Sequence, residues 1–165
     1  MIDLDIQYAA EAEGDGEPPS PELIEQWVGA ALKGRREEAE LAIRIVGRDE
    51  IQQLNRTYRH KDRPTNVLSF PYEALPGVEL PMLGDIAICA DVVRKEARQQ
   101  GKAQEAHWAH MVVHGVLHLL GHDHMVESEA QEMEAREIEI LASLGYDNPY
   151  LVKPQPQKET ETQRP

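Results

Sequence analysis

The chain has 165 residues, a length that predicts one domain of ordinary size. Hydrophobic residues make up 41% of it and charged residues 28%, a balance that argues against a fibrous or wholly disordered chain. The net charge of −13 argues against binding nucleic acid through bulk charge, although it allows a local basic patch.

The sequence also bears on the compartment. No apolar run approaches the roughly 18 residues of a membrane span. The first ten residues contain Asp3 and Asp5 and no basic residue, so they do not resemble a secretory signal. A single cysteine, Cys89, cannot form an internal disulfide. We therefore expect a cytoplasmic protein that makes no contact with membranes.

The first part of the chain alternates strands and helices. Ile2, Leu4 and Ile6 alternate with polar residues, which is typical of a half-buried strand. Ser20 followed by Pro21 indicates the start of a helix. In chain order the pattern predicts a strand over 2–7, a loop over 9–20, a helix over 20–34, a strand over 40–47 and a helix over 49–58.

The second part of the chain ends in helices. In order the pattern predicts a loop over 59–64, strands over 66–72 and 84–90, and helices over 91–100, 103–120 and 127–144. We expect the first two strands to be parallel and the strands at 66–72 and 84–90 to be antiparallel. The prediction is an α+β domain with a small mixed sheet over residues 1–152, followed by a disordered tail over 153–165.

Six of the seven histidines fall between residues 107 and 124. His107, His110, His114 and His118 form a stripe about 80° wide on one predicted helix. His114 and His118 are one turn apart, so both imidazoles can reach one ion. Gly121 allows the chain to turn back at the end of the helix, so that His124 can supply a third imidazole.

The segment HGVLHLLGHDH over 114–124 matches the zinc pattern H-E-x-x-H-x-x-G-x-x-H at every fixed position except one. We predict one metal ion held by His114, His118 and His124, with an open position as in catalytic sites. His107 and His110 are expected to support this site or the helix face, and His122 to be exposed. Zinc is the expected ion and nickel an alternative, because three imidazoles suit several metals.

Gly115 stands where peptidases of this pattern carry the glutamate that acts as general base. Peptide hydrolysis is therefore disfavoured, and close packing against a neighbouring element would explain a helical glycine. Asp85 and Asp123 could accept hydrogen bonds from ligand histidines, or could instead shape turns. The acidic residues between 127 and 139 could face a basic partner, although such runs commonly face solvent.

The sequence resembles the YbeY family of bacterial endoribonucleases. The resemblance covers roughly residues 2–151 and rests on four segments: HGVLHLLGHDH, EAHWAHMVV over 105–113, NRTYRHKDRPTNVLSFPYE over 55–73 and LGDIAIC over 83–89. His122 departs from the tyrosine often found there. The resemblance implies a zincin-like fold, a metal held by the three histidines, and cleavage of single-stranded RNA in the maturation of the 16S rRNA 3′ end and in ribosome quality control.

The resemblance also implies a functional arginine, which falls on Arg59. The residues agree in part, because Arg56, Arg59, Lys61 and Arg63 form a basic segment and arginine can neutralise a phosphate under attack. We expect Arg59 and His114 to be catalytic. Ribosomal RNA and the small ribosomal subunit or its proteins are the expected partners, and DNA is not. A metallopeptidase and a non-catalytic assembly factor with a structural metal are the alternatives.

Overall fold

The computed structural model describes residues 1–9, 17–72, 77, 80–122 and 127–151. This part of the chain forms nine elements, a four-stranded sheet and five helices. In order they are β1 (Ile2–Tyr8), α1 (Pro21–Leu32), β2 (Ala39–Val46), α2 (Arg48–Arg59), β3 (Val67–Pro71), β4 (Met82–Cys89), α3 (Ala90–Gln100), α4 (Gln104–Leu119) and α5 (Glu127–Ser143).

The sheet is mixed, and its strands lie in the order β1-β2-β4-β3. β1 pairs with β2 in parallel, as the strand–helix–strand pattern predicted. β2 also pairs with β4 in parallel, whereas β3 pairs with β4 in antiparallel orientation, as predicted for these two strands. β3 is therefore an edge strand, and in the part of the chain that the structure describes its outer side has no neighbouring strand between it and solvent. The predicted α+β architecture is confirmed.

Helices cover the two faces of the sheet unequally. On one face, α1, α4 and α5 enclose the larger core, into which Ile43 of β2 and Ile86 of β4 point. On the other face, α2 contributes Ile51 to a smaller cluster that includes Leu68 and Ala87. This division follows from the alternation of side chains along each strand. α4 is buried along most of its length, so its histidines are carried on a rigid core element.

One detail of the elements differs from its prediction. Arg59 is the last residue of α2 rather than part of a loop, and His60 ends the helix with a left-handed backbone at φ 60°. The N-cap of α1 is as predicted, since the Ser20 hydroxyl accepts a hydrogen bond from the Leu23 amide at 3.3 Å. The predicted tail over 153–165 lies outside the described residues. Within those residues, no helix combines the length and apolar character that crossing a bilayer requires.

Gly115 lies where α4 packs closely against the sheet. A Cβ atom there would lie 3.0 Å from Cγ2 of Ile86, which is tighter than ordinary van der Waals contact. The expected explanation for this helical glycine, close packing against a neighbouring element, is confirmed. The direction in which residue 115 points also limits the chemistry of the site. A larger side chain at this position would meet Ile86 in the core.

We expect Gly115→Val to destabilise the protein by about 1–3 kcal/mol, because the added atoms must displace a buried Ile86. Gly29 in α1 provides the matched control, since nothing lies within 4 Å of a Cβ built there. Gly29→Val should change stability by no more than about 0.5 kcal/mol. Urea unfolding of both variants measures the difference, and equal effects would contradict the packing argument.

Candidate active site

The histidine stripe lies along α4 and passes from the core towards solvent. His107 and His110 are buried, whereas His114 and His118 are half-buried. Neighbouring rings meet edge to face, with centroids 6.2 Å apart for the first two pairs and 4.7 Å apart for His114 and His118. The structure thus brings the predicted ligands His114 and His118 together. His124 and Asp123 lie outside the described residues.

His107 faces away from this pair. Its Nε2–H donates to the Glu96 carboxylate at 2.9 Å, and Glu96 also accepts from the Asn66 amide at 3.2 Å. Burial alone would raise the pKa of Glu96, but these hydrogen bonds outweigh it and hold the pKa below its ordinary value. His107 therefore fastens α4 to α3, which agrees with the expected supporting role.

Glu137 of α5 lies behind the histidines and is completely buried. It accepts hydrogen bonds from Nδ1 of His114 at 2.6 Å, from Nε2 of His110 at 3.1 Å and from the Tyr150 hydroxyl. Burial would raise the pKa of Glu137, but the two imidazoles outweigh burial and lower the pKa to about 2. Glu137 is therefore an anion at neutral pH.

His110, His114 and Glu137 could hold a metal ion, since one potential ligand atom of each lies within 4.8 Å of the others. The 2.6 Å separation of His114 Nδ1 and Glu137 is also the length of a charge-assisted hydrogen bond. With the proton on Nδ1, Nε2 is the atom of His114 whose lone pair can coordinate an ion. We favour this second arrangement because His114 and His118 line the same pocket as Arg59, whereas His110 lines a different one.

That pocket has a volume of about 410 Å³ and is bounded by α4, β3 and the end of α2. Its walls join the two imidazoles to three cationic side chains, those of Arg59, Lys61 and Arg63. A chain of net charge −13 thus concentrates positive charge beside its histidine pair. Such a pocket can attract an anion and neutralise charge that develops on it.

Arg59 reaches the pocket from the last turn of α2. Its Nη2–H donates to the carbonyl oxygen of Ser69 at 2.7 Å, and its guanidinium lies 5.4 Å from the centre of the Phe70 ring. Ser69 in turn donates its hydroxyl to the carbonyl oxygen of Gly115 at 3.2 Å. β3 is therefore fastened both to the arginine and to the helix of the histidines, which fixes their relative positions.

The basic loop after α2 is held by α2 itself. Asn55 is buried and donates to the carbonyl oxygen of Arg63 at 2.9 Å. Gln52 donates to Asp62 at 3.0 Å, and Arg56 makes a longer ion pair with the same carboxylate at 3.7 Å. These contacts direct the loop so that Lys61 and Arg63 line the pocket, whereas Asp62 pairs on the outside.

Comparison with known proteins identifies the family. A family model described as endoribonuclease YbeY matches residues 12–145. The chain belongs to the YbeY family. Membership makes RNA the substrate class and phosphodiester hydrolysis the reaction class. Among solved structures, the solution structure of TM1509 from Thermotoga maritima is similar, with 25% identity and a TM-score of 0.55 over 92% of this chain and 99% of that one.

The structure corrects one expectation about the residues around the YbeY histidines and decides two questions that the sequence left open. His122 is half-buried rather than exposed, and its Nε2 accepts a hydrogen bond from Arg35 at 3.0 Å. Asp85 does not support His114 or His118, because it lies on the opposite face of the sheet from α4. The acidic run of α5 is not wholly a solvent face, since Glu137 is buried and accepts the hydrogen bond from His114 that Asp85 was one candidate to accept.

Proposed function

We propose that this YbeY-family chain is a metal-dependent endoribonuclease specific for single-stranded RNA. We further propose that it acts in the cytoplasm, on ribosomal RNA bound to the small ribosomal subunit, in maturation of the 16S rRNA 3′ end and in ribosome quality control. The observation that carries the proposal is the pocket in which His114 and His118 face Arg59, Lys61 and Arg63. A single domain over 1–152 would contain the whole site.

The proposed metal site consists of His114, His118 and His124 with one divalent ion, zinc first and nickel as the alternative. The donors fit such an ion, because imidazole suits these metals and a buried carboxylate behind His114 sets its tautomer. When bound, the ion supplies Lewis acidity towards a phosphate oxygen and towards water. Glu137 holds the proton on Nδ1 of His114, and thereby holds the ring in position.

Arg59 is the proposed catalytic partner of this site. Its Nη2 is engaged by Ser69, which fixes the guanidinium at the pocket wall. Phosphodiester cleavage concentrates negative charge on phosphate oxygens, and a positioned guanidinium stabilises that charge. Lys61 and Arg63 extend the cationic wall along the path of a single strand. A peptidase is disfavoured, because a side chain at position 115 would point at Ile86.

The decisive experiment compares wild type with His114→Ala on a labelled single-stranded RNA. We expect His114→Ala to lose both its metal and its cleavage activity, since one of three ligands is removed. His107→Gln is the control on the same helix, because an amide can still donate to Glu96. It should keep metal content near one per chain and retain activity.

The other outcomes are equally informative. Metal retained by His114→Ala would contradict the ligand assignment. Equal cleavage by all three proteins would indicate a contaminating nuclease. Metal-loaded wild type that cleaves neither free RNA nor RNA on the small subunit would overturn the catalytic proposal in favour of an assembly factor with a structural metal.

A further inference from the structure

The face of the sheet opposite α4 carries an open groove of about 460 Å³. The groove exists because α2 covers only part of this face and because the strands beneath carry small residues, Ala42 of β2 and Ala87 of β4. Its volume is within the range of about 300–1,000 Å³ that small-molecule sites occupy. The pocket of the histidines lies on the other side of β3.

Strand pairing places an aromatic ring beside a carboxylate in this groove. Phe70 of β3 is paired with Asp85 of β4, and Asp85 is paired with Ala42 of β2. The three side chains therefore form one row across the groove face. Asp85 is exposed and belongs to the segment LGDIAIC, which the proposed chemistry has not used.

The second aromatic wall is Tyr58 of α2. Its side chain is 57% exposed, and its ring meets that of Phe70 edge to face at 5.3 Å between centroids. Phe70 is the only phenylalanine of the chain. An exposed tyrosine ring beside a groove presents a flat apolar surface on which a nucleobase can stack.

Arg59 connects the groove to the proposed RNA site. The Arg59 guanidinium lies over Phe70, which lines the groove, and bonds to Ser69, which lines the histidine pocket. Because β3 is the edge strand, only its width separates the two sites. A strand whose phosphate is bound at Arg59 can therefore place a neighbouring base against Tyr58.

The charges of the groove favour a base over a phosphate. Asp85 and Glu50 are acidic, and Arg44, which also lines the groove, makes hydrogen bonds of 2.7 and 3.1 Å with Glu50. Phosphate would be repelled by the exposed Asp85 carboxylate. The exocyclic amino group of adenine or cytosine can donate a hydrogen bond to a carboxylate.

We propose that this groove is a nucleobase subsite, in which Tyr58 stacks on an unpaired base and Asp85 accepts a hydrogen bond from its amino group. The proposal rests on the proposed function, because the base belongs to the RNA whose phosphate lies at Arg59. It gives the enzyme a reason to require single-stranded RNA, since a paired base cannot enter the groove.

The test measures binding of a fluorescently labelled single-stranded RNA by anisotropy, with a gel check that the RNA stays intact. Tyr58→Leu should weaken binding about tenfold, through loss of stacking on one base. The control is Tyr8→Leu at the opposite edge of the sheet, which should bind as the wild type does. A second set of oligonucleotides, each with one abasic nucleotide, turns the comparison into a double-mutant cycle.

At one position along the RNA, removal of the base should weaken wild-type binding and leave Tyr58→Leu binding unchanged. That coupling cannot arise from a merely destabilised variant. Asp85→Ala should remove a preference for adenine or cytosine over uracil at the same position. Tyr58→Leu that binds as tightly as wild type, or weakened binding without coupling at any position, would overturn the subsite.

The same binding measurements distinguish a failure of the proposed function from a failure of the subsite. If wild type does not bind single-stranded RNA, or if Arg59→Glu binds as tightly as wild type, the RNA site itself is wrong. If Arg59→Glu loses binding and Tyr58→Leu does not, only the subsite is wrong, and the groove becomes a candidate surface for a protein of the small subunit.

Discussion

Glu137→Gln is expected to weaken metal binding by a factor of about 10–100 and to lower the free energy of unfolding by about 1–3 kcal/mol. The carboxylate accepts from His114, His110 and Tyr150 while completely buried. A glutamine has nearly the same shape but only one acceptor oxygen. It therefore leaves one imidazole without its partner, and it no longer increases the basicity of the His114 ring.

The matched control is Glu134→Gln, one turn earlier on α5, where the side chain is exposed. It removes the same charge from the same helix without touching a histidine, so metal affinity and stability should both stay near wild type. Competition with a chelator measures the affinity, and urea unfolding of the metal-free protein measures the stability. Unchanged affinity in Glu137→Gln would show that the carboxylate does not set the tautomer of His114.

A much larger loss of metal affinity in Glu137→Gln would indicate a different set of metal ligands. If the metal is held by His110, His114 and Glu137 themselves, Glu137 is a ligand rather than a hydrogen-bond acceptor. Glu137→Gln should then abolish binding, and His118→Ala should leave it intact. In the arrangement that we favour, His118→Ala removes a ligand and therefore weakens metal binding more than Glu137→Gln does. The pair of variants therefore distinguishes the two sites.

Glu137 shows which part of the site was predictable and was missed. It lies within a dense run of acidic residues, which as composition indicates a solvent-exposed face. The helical period indicates the opposite, because Met133, Ile140 and Leu141 stand four residues before it and three and four after it. All three are buried, and Glu137 lies in their stripe. A charged residue inside an apolar stripe is the signal for a buried acceptor.

The position of Asp85 was predictable in the same way. In the segment LGDIAIC, Ile86 and Ile88 alternate with Asp85 and Ala87, so the two isoleucines point into the main core and Asp85 points away from it. Tertiary packing decides which face of the sheet the histidine helix covers, and no local sequence pattern indicates that choice. For this reason the sequence left open a role for Asp85 beside the metal.

The stripe on α4 was predicted well because it depends on one helix alone. His114 and His118 are neighbours whatever surrounds the helix. The approach of Arg59 to them depends on β3, Ser69 and the carbonyl oxygen of Gly115, which come from distant parts of the chain. The spacing of residues could not indicate that meeting, and the family resemblance supplied the expectation for Arg59.

Arg59→Glu is expected to reduce RNA cleavage by a factor of at least about 100–1,000 while metal content stays near one per chain. The loss has two causes, since the variant removes a fixed guanidinium from the pocket wall and places a carboxylate where a phosphate must lie. The cleavage activity of Arg59→Lys should lie between those of wild type and Arg59→Glu. An ammonium keeps the positive charge, but it lacks the planar fork with which arginine can bond Ser69 and a phosphate at the same time.

Arg48→Glu provides the control, because Arg48 lies at the other end of α2, is exposed, and does not line the pocket. It reverses the same charge, so an effect of net charge on RNA binding would lower the activity of both variants equally. A large loss in Arg59→Glu alone places the effect at the pocket. Loss of metal in Arg59→Glu would instead mean that the substitution disturbs β3 and, through Ser69 and Gly115, the histidine helix. Activity would then fall for a structural reason, and the catalytic role of Arg59 would be contradicted.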